Sequence, residues 1–106
     1  MKQKRKNDIS NYVLDELGYS MEVWIDKLIK KYPLEPLNKN SIKTTIYSKK
    51  PVYKILFFLL VKEPKIFGLL PYEKQKIIID TIDDLKYREL TTVSKDIVIK
   101  IRVKNA

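Results

Sequence analysis

The sequence has no cysteine and no histidine. Disulfide scaffolds, zinc fingers, thiol nucleophiles, Ser-His-Asp triads and imidazole proton transfer all lack their parts. Glycine occurs only as Gly18 and Gly68, so no glycine-rich loop is present to cradle a phosphate. Alanine occurs once, as Ala106, and arginine three times. The longest apolar run, residues 55–61, falls far short of the roughly 20 residues that span a bilayer. These absences point away from an enzyme and from a membrane-spanning chain, with no cofactor or metal expected.

What is there is a chain of 106 residues, the size of one small domain, 44 % apolar and 33 % charged. That is enough apolar material for a compact core. Lys plus Arg number 22 against 13 Asp plus Glu, a formal charge of +9. Such a surplus bears on association rather than on fold, and it suits nucleic acid, an anionic surface or an acidic protein. Lysine supplies 19 of the 22 basic residues. With abundant isoleucine and tyrosine, that bias reads as A·T-rich coding, which accounts for part of the excess.

The charge is unevenly placed. Residues 1–7 hold Lys2, Lys4, Arg5 and Lys6 and read as a basic flexible arm, either solvated or laid along phosphates. No apolar stretch follows this start as a signal peptide requires, so the chain is expected in the cytoplasm. Residues 8–26 carry five acidic groups and no basic one, residues 39–65 seven basic groups opposed only by Glu63, and residues 95–104 four opposed by Asp96.

Apolar periodicity predicts a helix over 8–17, closed by Gly18 in a left-handed cap. Ser20 is positioned to cap a second helix from Met21 to Lys31, whose apolar residues Met21, Trp24, Ile25, Leu28 and Ile29 form an i, i+3, i+4, i+7, i+8 stripe. Pro33 ends it. Asn40 or Ser41 is expected to cap a short polar third helix through Ser48, with Ile42 and Ile46 inward. Residues 52–62 are apolar nearly all round; the flanking Pro51 and Pro64 favour a buried helix over a buried strand. Pro71 opens a fifth helix expected to run to Arg88. Beyond it the period changes. Residues 90–93, a polar break at Ser94, Lys95 and Asp96, and residues 97–103 read as a β-hairpin. Ile97, Ile99, Ile101 and Val103 alternate with Val98, Lys100, Arg102 and Lys104.

The expected fold is therefore mostly α with a C-terminal β-hairpin, one domain over residues 8–106 behind the basic arm. In element order and charge it resembles the winged helix-turn-helix DNA-binding proteins of plasmids and phages. The resemblance implies a reading helix and a β-wing, and two placements fit. One uses Met21–Lys31 as support and 40–48 as the reading helix, with a connection longer than the usual three or four residues. The other uses 52–62, a turn at 64–70, and 71–88 as the reading helix, where Asp80, Asp83 and Asp84 would oppose phosphates. Those three aspartates are otherwise a solvated helix face, or, for Asp80 and Asp84, a pair able to hold magnesium through its waters.

Candidate DNA-binding residues follow from side-chain chemistry. Lys39, Lys43, Lys49, Lys50, Lys95, Lys100 and Lys104 suit phosphates; Asn40, Ser41, Thr44, Thr45, Tyr47 and Arg102 suit bases as well. Lys100, Arg102 and Lys104 would project about 6.8 Å apart from one strand face. Tyr47 and Tyr53 either stack on bases or border the core. The expected function is a small, sequence-specific double-stranded DNA-binding protein. It would be a dimeric transcription regulator or nucleoprotein accessory factor of a plasmid or phage, since a single module buries little surface. The alternatives are an inhibitor of an acidic or nucleic-acid-binding host protein, and a binder of single strands or RNA.

Overall fold

The computed structural model describes residues 8–104; the arm expected over 1–7 lies outside them. The chain divides into two compact units, residues 1–52 and 53–106. Every regular element among the described residues is helical.

The first unit begins with α1, Asp8–Tyr12, with Asp8 in its first turn. The helix widens into a π-helical turn over Val13–Leu17. Gly18, at φ 77°, closes it, and the Gly18 and Tyr19 N–H groups both donate to the Val13 carbonyl. That left-handed conformation is one that only glycine adopts at little cost. Helix α2, Met21–Lys31, starts where the Ser20 hydroxyl accepts from the Val23 N–H at 3.3 Å. It buries Trp24, Ile25 and Leu28, and Lys30 and Lys31 complement its C-terminal carbonyls. Helix α3, Lys39–Tyr47, is capped two or three residues earlier than expected: Asn38 Oδ1 accepts from the Ser41 N–H at 2.8 Å. It buries Ile42, Thr45 and Ile46. Helix α2 packs on both the π turn and α3.

The second unit is built on α4, Tyr53–Lys62, which buries Ile55, Leu56, Phe58, Leu59 and Leu60. The stretch expected as a turn holds a short helix, α5, Pro64–Gly68, burying Ile66 and Phe67. The helix expected over 71–88 is two helices, α6, Tyr72–Thr81, and α7, Asp84–Glu89. The break has a local cause. Asp83 is extended and its carboxylate accepts from the Lys86 N–H at 2.9 Å, so it starts a new helix instead of continuing the old one.

The C-terminal β-hairpin does not exist. Residues Thr92–Lys104 form one helix, α8. Thr91 sets its start, with Oγ1 accepting from the Ser94 N–H at 3.1 Å, and Ser94, Lys95 and Asp96 lie in its opening turns. Ser94, Val98 and Ile101 are buried at helical spacing, while Ile99 and Val103, which the strand reading set on one face with Ile97 and Ile101, are 48 % and 71 % exposed. The winged architecture is thereby overturned. Helix α8 packs on α5, and the Ser94 hydroxyl donates to the Leu60 carbonyl of α4 at 2.6 Å. That carbonyl lies four residues before Pro64, which has no N–H to give it.

Candidate nucleic-acid interface

The polar third helix survives as α3, and its two sides have different chemistry. Toward α2, Lys39 and Lys43, one turn apart, meet Glu22 and Asp26, also one turn apart. Lys39 Nζ lies 3.2 Å from Glu22 Oε1 and 3.3 Å from Asp26 Oδ1, and Lys43 pairs with Glu22. The hydrogen bond from Lys43, and then that from Lys39, holds the Glu22 carboxyl below its ordinary value. The bonds to Glu22 and then Asp26 hold the Lys39 ammonium above its own. Two of the cations expected on phosphates are thus spent on fastening α3 to α2.

Thr45, expected at a base edge, is fully buried. Its hydroxyl donates to the Ser41 carbonyl at 2.9 Å and accepts from the Val52 N–H at 3.0 Å, joining α3 to the segment that follows it. Ser41 is half-buried beside the Asn38 cap. Asn40, Thr44 and Tyr47, at i, i+4 and i+7, are exposed. The Tyr47 ring is 54 % exposed, and its hydroxyl shares a 3.0 Å hydrogen bond with Ser10 of α1. Lys49 and Lys50 follow directly, both exposed, and no ion pair holds either among the described residues. Tyr53 is turned to structure: its hydroxyl accepts from Thr81 at 3.3 Å.

In the second unit, the three cations expected on one strand face are distributed around a helix. Lys100 and Lys104 share an exposed side, one turn apart. Arg102 points elsewhere, with its guanidinium carbon 5.8 Å from the centre of the Tyr87 ring. Lys95, seven residues earlier and on the same side as Arg102, lies 5.8 Å from that ring. Asp80 is paired with Lys76, and Asp83 caps α7. Asp80 and Asp84 therefore stand on different helices, and no group of three metal-ligating side chains occurs among the described residues.

Comparisons with protein-family models, curated proteins and solved structures return no match to this chain. None of the described helices is long and apolar enough to cross a membrane.

The functional weight of Glu22 and Asp26 escapes a reading by charge blocks, which sets them in an acidic stretch remote from the lysines. The signal was present as two i, i+4 pairs of opposite sign on consecutive helices.

Proposed function

We propose that this protein binds double-stranded DNA through the outward side of α3 and acts as a dimeric regulator or nucleoprotein accessory factor. One observation carries the reading. The solvent side of α3 offers Asn40, Thr44 and Tyr47, all hydrogen-bonding, and runs straight into two lysines that have no ion-pair partner among the described residues. Lys49 and Lys50 take phosphates, and Asn40 and Thr44 take base edges; asparagine matches adenine in the major groove. Glu22 and Asp26 do not repel the duplex as free carboxylates would, because Lys39 and Lys43 neutralise them. From residue 21 to residue 50 the helix pair still carries seven basic groups against three acidic.

The test is anisotropy with duplexes selected from a random pool. Lys49→Ala with Lys50→Ala weakens binding evenly across sequences. Asn40→Ala relaxes discrimination at one base position by about 1–3 kcal/mol. Glu22→Gln releases Lys43 toward phosphate, Lys39 keeping Asp26, and tightens binding. Affinity indifferent to all three substitutions removes α3 as the interface.

A further inference from the structure

Two exposed surfaces of this chain, one in each unit, have opposite charge and matching apolar content. The first is the π turn. Leu14, Asp15, Glu16 and Leu17 are four consecutive exposed residues, with Leu14 53 % and Leu17 39 % exposed. Neither carboxylate has an ion-pair partner among the described residues. No basic residue occurs between Asp8 and Asp26 to offset them. The second is the outward side of α8. Ile99 and Val103 form one exposed row and Lys100 and Lys104 the adjacent row, each spaced by one turn. These lysines also have no ion-pair partner among the described residues.

We infer that the chain self-associates by seating the π turn of one copy on α8 of a second copy. Each partner supplies what the other surface lacks. Leu14 and Leu17 cover Ile99 and Val103, while Asp15 and Glu16 meet Lys100 and Lys104. Pairing like with like is disfavoured, because α8 against α8 opposes lysines to lysines and the π turn against itself opposes carboxylates. DNA does not suit the first surface, since Asp15 and Glu16 repel phosphate. The inference does not rest on the DNA reading of α3, and the substitutions that test it lie outside α3.

Sedimentation equilibrium of the whole chain, without nucleic acid, tests it through charge reversal. Asp15→Lys with Glu16→Lys gives one variant, and Lys100→Glu with Lys104→Glu gives another. Each alone places like charges across the contact and associates at least about tenfold more weakly than the parent. Mixed, the lysine-bearing π turn of the first variant meets the glutamate-bearing α8 of the second, and the two associate with near-parental affinity. Ile99→Ser with Val103→Ser weakens the parent pair without changing its salt dependence. Circular dichroism confirms that each variant keeps its helices, and a variant that unfolds is replaced by the milder Asp15→Asn with Glu16→Gln, or Lys100→Gln with Lys104→Gln. A parent that stays monomeric at millimolar concentration overturns the inference. So does a dimer that survives both reversals, or a mixture no tighter than its components.

Discussion

Ser94 shows how much one small side chain settles. As the opening of the Ser94, Lys95 and Asp96 stretch it looks like a turn residue. In the fold it is fully buried, and its hydroxyl serves a carbonyl that Pro64 deprives of a helical partner. Ser94→Ala is expected to cost about 1–3 kcal/mol in urea unfolding, because it leaves the Leu60 oxygen buried and unpaired. Thr45→Val removes the bonds to Ser41 and Val52 at constant shape and is expected to cost about 1–2 kcal/mol. DNA affinity of the folded variant then stays at the parental level, which separates Thr45 from its exposed neighbours. Glu22 supplies a pH signature. A carboxyl whose value is lowered on folding contributes stability above its unfolded value and loses it as pH falls through the folded one. The stability difference between the parent and Glu22→Gln should therefore be present at neutral pH and close in acid. The raised Lys39 has the opposite sign: its contribution is present below the ordinary lysine value and fades as pH climbs through the higher folded one.

At the scale of elements, α2 was fully legible and α8 was not. Ser20, the apolar stripe and Pro33 all agree on one helix with the observed bounds, so propensity, period and punctuation reinforce each other. In α8 they conflict. Ile97, Ile99, Ile101 and Val103 are β-branched at alternate positions, which favours a strand. A strand, however, needs a partner strand, and none exists among the described residues. A helix instead places Ser94, Val98 and Ile101 against the apolar second unit, and burial outweighs a propensity deficit of tenths of a kcal/mol per residue. The two readings separate by mutation. Val98→Ala should cost about 1–3 kcal/mol and Val103→Ala about 0.5 or less. Asp96→Pro, benign in a hairpin turn, should cost about 3 kcal/mol or more inside a helix. Equal costs at positions 98 and 103 would contradict the helical register.

For the whole molecule, the count of 22 basic residues overstates how many are available to a polyanion. Lys39, Lys43 and Lys76 answer carboxylates, and Lys95 and Arg102 lie against Tyr87. Phosphate contacts from Lys39, Lys43, Lys49, Lys50, Lys100 and Lys104, about six in all, would give a log–log salt slope of about −5. With Lys49 and Lys50 as the contacts, the slope falls to about −2 per protomer. Titration of DNA affinity from 50 to 300 mM salt, a range of roughly sixfold that the screening theory covers, measures it. Glu22→Gln should steepen it by restoring Lys43, whose one carboxylate partner is Glu22.

Local rules in the chain determined the helical first half. The cap at Ser20, the left-handed Gly18 and the breaks before Pro33 and Pro64 act within a few residues of themselves, so a linear reading reaches them, while the cap at Asn38 was placed two or three residues late. The same reading set the sign of the charge and the exposed polar side of α3. Tertiary structure alone decided that the C-terminal segment is a helix and which lysines are free, whereas the break of 71–88 at Asp83 is a local cap that outcompetes helix continuation. Each of those outcomes depends on a partner distant in sequence or on competition between two local choices. Leu60 awaits Ser94, Lys39 awaits Glu22, and neither partner is visible from the other until the chain has folded.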